Sequence, residues 1–128
     1  MYPNTYRQRT NHYQSIQTQS YLDGATPHQL IQMLMDGFIA RVNSAKGAIQ
    51  QRDFETKSET ISKAIGIIGG LRESLDFERG GEIAMNLSNL YEYMSSRLLV
   101  ASTENNTDIL DEMLSLMHEI KAAWDVIQ

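Results

Sequence analysis

The sequence predicts an all-α protein: an antiparallel up-down-up-down four-helix bundle over residues 26–128, behind a flexible N-terminal arm over residues 1–25. Three observations predict it. Apolar residues recur at alternating spacings of three and four in four successive segments, the period of a helix that buries one face. Capping residues and polar turns separate those segments. No stretch of strand length alternates polar with apolar. Short turns between long helices make chain neighbours antiparallel, and heptad-like stripes imply shallow crossing angles. A coiled-coil oligomer is the competing architecture, and the capped turns argue against it.

Residues 1–25 are rich in Gln, Asn, Ser, Thr and Tyr and hold no sustained apolar period; Asp23-Gly24 is a turn signal. The first long helix opens on Thr26-Pro27-His28-Gln29, a capping box with proline where its missing N–H does no harm. Ile31, Met35, Phe38, Val42, Ala45 and Ile49 then share a face. A helix from Pro27 to about Gln50 is roughly 35 Å long at ~1.5 Å per residue. Arg52-Asp53 marks the next break, with Asp53 as N-cap. Phe54, Ile61, Ala64, Ile65, Ile68, Leu71 and Leu75 follow at helical spacing. Gly66, Gly69 and Gly70 interrupt this pattern, each costing about 1 kcal/mol against Ala, yet Leu71 and Leu75 keep the period, so the helix is expected to continue. Asp76 to Gly81 reads as a polar loop. The third helix carries Ile83, Leu87, Leu90, Met94, Leu98 and Ala101, and Thr103 to Thr107 reads as the last turn. The fourth carries Ile109, Met113, Leu116, Ile120, Trp124 and Ile127, capped by Asn106 or Thr107, with Asp108 and Asp111 near its positive end.

Composition narrows the function classes. The 128 residues suit one domain on a single core. A net charge of -5 disfavours phosphate backbones, so no nucleic-acid partner is expected. The absence of cysteine removes disulfides and thiol chemistry and fits a reducing compartment. The start, Met1 to Arg7, has no apolar core of a signal peptide, and no apolar run has the ~20 residues of a membrane span. The expectation is a cytoplasmic protein with no membrane insertion.

Several helices carry more apolar residues than a bundle seam uses. The fourth adds Leu110, Leu114 and Met117; the first adds Leu30, Met33, Leu34 and Ile39; the third adds Met85, Tyr91, Tyr93, Leu99 and Val100. For any single residue a wide buried face is the plainer account. Together they suggest an exposed apolar groove that receives amphipathic helices, and seven methionines suit a surface that accepts varied apolar partners. The arm, with four tyrosines and Ile16, is placed to shield such a groove or join it.

Chemistry finds no foothold. Di-metal bundles need inward Glu-x-x-His pairs, and none is present. His12 is expected solvated in the arm, His28 to support the cap region, and His118 to be exposed. Gly80-Gly81 lacks the Lys-Ser/Thr of a nucleotide loop, and no serine sits in a nucleophile elbow. Glu55, Glu59, Glu73, Glu78 and Glu92 read as solvated surface. The inventory predicts a binding module, no enzyme, and neither cofactor nor metal.

Read in order, these segments resemble the flagellin-specific export chaperones of the FliS family. The resemblance runs from about Tyr13 to Ile127 and rests on the order and spacing of several pieces. They are Ala25-Thr26-Pro27-His28-Gln29-Leu30-Ile31-Gln32-Met33-Leu34-Met35-Asp36-Gly37, Lys63-Ala64-Ile65-Gly66-Ile67-Ile68, Gly80-Gly81-Glu82-Ile83-Ala84-Met85-Asn86-Leu87, Asn89 to Met94 with Arg97-Leu98-Leu99, and Ala123-Trp124. Met35 stands where the family usually has an aromatic, so the groove near it differs in shape. The resemblance implies a chaperone that binds the disordered C-terminal segment of flagellin in the cytoplasm, prevents premature polymerisation and delivers the client to the flagellar export gate. The client becomes partly helical, and coupled folding and binding then calls for an extended interface, about 2,000 Å² or more in total. Carried onto this chain, Tyr13 and Ile16 lie near the client or guard its groove. Leu30, Leu34, Ile68, Leu110, Leu114 and Met117 are expected as groove walls, the last three from periodicity more than from motif. A helical adaptor or secretion chaperone for another substrate, an enzyme such as a bundle hydrolase, and a purely structural bundle are the rival readings, and a homodimer stays open.

Overall fold

The computed structural model describes residues 24–127. Four helices follow one another: α1 (Pro27–Gln50), α2 (Phe54–Glu73), α3 (Phe77–Glu104) and α4 (Thr107–Asp125), with no strand among the described residues. Each helix packs on its chain neighbours and α4 returns to close against α1, while diagonal partners make no close backbone approach. This ring of four seams is the up-down-up-down bundle that the periodicity predicts. The arm lies almost wholly outside the described residues.

Local chemistry starts each helix. The Thr26 hydroxyl accepts from the Gln29 N–H at 3.1 Å, and the Gln29 side chain accepts from the Thr26 N–H at 2.9 Å. This reciprocal box satisfies two donors that α1 would otherwise leave orphaned. Asp53 accepts from the Thr56 N–H at 3.1 Å and its hydroxyl at 2.7 Å, and so caps α2. Asn106 does the same for α4 through the Asp108 and Ile109 N–H groups. Helix α2 runs unbroken through its glycines, of which Gly66 and Gly70 are buried.

Two boundaries differ from expectation. The segment read as a polar loop is the first turn of α3: the Asp76 carboxylate accepts from the Glu78 and Arg79 N–H groups, both at 3.1 Å, and starts the helix early. The polarity of this turn reflects exposure. Gly81, at φ 49° and ψ -122°, then kinks the chain in a conformation that glycine alone adopts readily. The last turn is also shorter, because Thr103 and Glu104 stay helical and Asn105 reverses the chain in the left-handed region at φ 52°, which asparagine tolerates.

The core is built from Leu34, Phe38, Ile67, Ile68, Met94, Leu98, Leu110, Met113 and Met117, among others. Toward the end of the bundle that holds the α1–α2 and α3–α4 turns, the buried residues include Ala45, Ala48 and Ala101. A buried lysine fastens that end. Lys57, only 9% exposed, donates from Nζ to the Ser102 carbonyl at 2.8 Å and to the Asn105 side chain at 2.7 Å. Its charge therefore meets the negative C-terminal pole of α3, and its ammonium also lies 5.1 Å from the Phe54 ring centroid.

Candidate functional site

The opposite end of the bundle is open. A groove of about 590 Å³ runs between all four helices there, within the roughly 300–1,000 Å³ of ordinary binding sites. Ile31 and Met35 enter it from α1, Leu71 from the end of α2, and Leu75 from just beyond that end. Helix α3 supplies Ile83, Leu87, Leu90 and Tyr91; α4 supplies Leu116, Ile120 and Trp124, with Ile127 beyond its end. Asp76 and Gly80, on the stretch before the kink at Gly81, line one edge of the groove. A side chain at Gly80 would put its Cβ 2.9 Å from the Cβ of Ala84.

The charged liners are Asp76 and Glu119, both acidic. Burial pushes the Tyr91 phenol up to about 12, so it is a neutral group at ordinary pH. A clasp ties the end of α4 to the start of α1 beside the groove. The His28 and Trp124 rings stack with centroids 4.7 Å apart. The His28 Nε2–H donates to the Trp124 carbonyl at 2.8 Å, and the indole N–H donates to the His28 carbonyl at 3.1 Å. Gln32 reaches Asp125 at 2.8 Å, and Lys121 with Gln32 holds the Asp125 carboxyl below its usual range. Among the described residues no group of three or more His, Cys, Asp or Glu side chains could hold a metal ion, and no helix is long and apolar enough to cross a membrane.

The family model described as "Flagellar protein FliS" matches residues 9–128. A flagellar secretion chaperone FliSB of Pseudomonas aeruginosa is 50% identical over 115 residues, which cover 90% of this chain and 91% of that protein. The flagellar secretion chaperone FliS of Salmonella typhimurium is 44% identical over 116 residues, covering 90% and 86%, and that of Vibrio cholerae is 41% identical over 115 residues, covering 90% and 85%. The chain belongs to the FliS family. It is thus a member of a family of flagellar secretion chaperones, which are not enzymes.

The expected groove walls of this FliS-family chain sit elsewhere. Leu34, Ile68, Leu110 and Met117 have no exposed surface, Leu30 is nearly as deep, and Leu114 is half-buried. None of the six lines the open groove; five of them are core. Tyr13 and Ile16 lie outside the described residues, as does His12. The surplus of apolar residues on α4 is present, and both stripes contribute to the core: Ile109 and Met113 are buried as read, Leu110 and Met117 join them, and Leu116, Ile120 and Trp124 form the groove wall. Ile83, read as core, is 72% exposed: it lies two residues after the kink at Gly81 and lines the open groove with Leu87 and Leu90. Ile127, also read as core, is half-exposed at the mouth of the groove, and Phe54 lies on the surface. His118 is exposed and the five surface glutamates stand in solvent. The bridge from His28 to Trp124 left no local signal, since 96 residues separate the partners.

Proposed function

We propose that this chain binds the C-terminal segment of flagellin in the cytoplasm, prevents its premature polymerisation and hands it to the export gate, and that the open groove seats the client's apolar anchors. The observation that carries this reading is a groove lined from all four helices by aliphatic and aromatic side chains, in a member of a secretion chaperone family. Seating an amphipathic helix there removes apolar surface from water at both partners. A disordered client loses conformational entropy when it folds onto the chaperone, so the contact must extend beyond the groove. Met85, Tyr93 and Leu99 on the outside of α3 are exposed and offer that continuation.

The arm has the reach to take part. It joins the bundle at Gly24, four residues before His28 in the chain and in a shallow concavity with Gln29, Gln32 and Asp36 of α1. Tyr13, eleven residues earlier in the chain, can lie up to about 35 Å from that point, which brings Tyr13 and Ile16 within range of the groove. Deleting the arm then changes client affinity and leaves the bundle folded.

The deciding measurement is calorimetric titration with flagellin and with flagellin lacking its C-terminal segment. The full-length client binds and the truncated one does not. Equal affinity for the two would overturn the reading. Leu87→Ser, in the groove floor, weakens binding of the full client by ~10-fold or more, a change of about 1.4 kcal/mol per decade.

A further inference from the structure

We infer that His28 is a positioning residue for client binding: it holds Trp124 in place as the end wall of the groove. The inference rests on reading the groove as the client site. Trp124 lies one residue before the end of α4, where a helix frays because its last carbonyls have no intrahelical donors. Helix α4 nonetheless presents its tryptophan to the groove from this turn. What steadies it is a three-part contact with one residue of α1. The rings stack with an interplanar angle of 12°, the imidazole donates to the Trp124 carbonyl, and the indole donates back to the His28 carbonyl. A carbonyl oxygen only accepts, so the proton of neutral His28 resides on Nε2.

His28 is itself held. The capping box of Thr26 and Gln29 fixes the first turn of α1 around it. Two further ties between the ends of α1 and α4 reach more water: Gln32 to Asp125, and the partly exposed Lys121 to the exposed Asp36 at 3.6 Å. Exposed polar pairs of this kind hold geometry weakly. The part-buried His28 contact is therefore what keeps the indole where an incoming apolar side chain meets it. A preformed wall spares the cost of ordering Trp124 during binding.

The test uses the sole tryptophan as its reporter. His28→Ala, His28→Gln, which keeps an amide donor near the Nε2 position, and Lys57→Ala, which loosens the opposite end of the bundle, are compared with the unaltered chain. Emission of Trp124 is recorded in the free protein, and affinity is measured for a peptide spanning the flagellin C-terminal segment. His28→Ala red-shifts the emission and weakens peptide binding by ~10-fold; His28→Gln recovers part of both. Lys57→Ala lowers Tm and leaves emission and affinity unchanged. Unaltered affinity in a folded His28→Ala protein overturns the inference. So does an equal loss of affinity in Lys57→Ala, which would make the effect one of general stability. If the unaltered chain binds no peptide, the client reading fails; the emission of free His28→Ala then decides whether His28 positions Trp124, and an unshifted spectrum overturns that.

Discussion

Where α1 turns into α2 and α3 into α4, the helices close on small side chains that include Ala45, Ala48 and Ala101, and Lys57 fastens α2 to the Ser102 carbonyl and the Asn105 side chain at the end of α3. At the other end Ile31 of α1, Leu75 just beyond α2, Leu87 of α3, and Ile120 and Trp124 of α4, all half-buried, stand around an open groove. The hydrophobic period does not change between the ends. Residue size and backbone do. Alanines let backbones approach until opposing stripes bury each other, whereas large side chains beside a glycine kink line a gap without filling it. The apolar area left in water there forgoes roughly 25 cal/mol per Å² of stabilisation, which a bound apolar segment recovers. One end is thus closed by packing, and the other stays open where we propose that the client binds.

The sharpest way to break this contrast is a pair of truncations. Leu98→Ala, a fully buried residue of α3, lowers unfolding free energy by about 2–5 kcal/mol through lost transfer energy and a cavity. Leu87→Ala, in the groove, costs about 1 kcal/mol or less, since a half-buried side chain leaves an already open space. Urea unfolding of the two variants measures both; equal losses would mean that the groove is as much a part of the core as the closed end.

Alkaline titration gives the next largest effect. Tyr91 lies against the groove, and burial raises its phenol from 10.0 to about 12. The folded state therefore keeps the proton while the unfolded chain loses it. Stability is fully present below pH 10 and falls as pH rises toward 12, by about 2–3 kcal/mol at most, given ~1.4 kcal/mol per pKa unit. Tyr91→Phe removes this slope. A Tyr91→Phe protein that loses stability over the same window as the parent would place the titrating group elsewhere. Client in the groove deepens the burial and extends the fall to higher pH.

Gly81→Ala follows, at about 1–3 kcal/mol, because φ 49° with ψ -122° is a region essentially closed to side chains. Its cost is confined to the groove end. Hydrogen exchange quickens between Phe77 and Ala84, while amides around Lys57 and Ala101 keep their protection. Acceleration spread evenly over both ends would show that the kink supports the whole bundle.

The sequence discloses this division unevenly. The start of α1, the break at Asp53 and the passage of α2 through its glycines are legible, because a capping box, an N-cap and a continued period are local features. The stripes of α4 are only half legible. Leu110 and Met117 make one stripe and Leu116, Ile120 and Trp124 another, and both have helical spacing. Which of them turns inward depends on the rotation of α4 about its axis, and its packing on α1 and α3 decides that. Ile83 continues the stripe of Leu87 and Leu90 in space as well as in sequence, since all three follow Gly81 and line the groove; its exposure comes from its place at the open end of the bundle, which the period does not report. The bonds from His28 to Trp124 and from Lys57 to Ser102 span 96 and 45 residues, and nothing local marks either.

The smallest effect tests whether charge has any share in closing one end and opening the other. Lys46 meets Asp111 at 2.7 Å across the α1–α4 seam toward the closed end, and Lys121 meets Asp36 at 3.6 Å across the same seam toward the groove. Every one of these side chains is at least partly in water, where an ion pair loses in side-chain freedom much of what it gains in attraction. A double-mutant cycle on Lys46 and Asp111 gives a coupling below about 1 kcal/mol that shrinks as salt shortens the screening length to about 3 Å at 1 M. The cycle on Asp36 and Lys121 gives no larger a value. A salt-resistant coupling confined to Lys46 and Asp111 would shift the explanation of the closed end from alanine packing to electrostatics. Two small and equally screened couplings would leave side-chain size and the Gly81 kink as the physical difference between the ends.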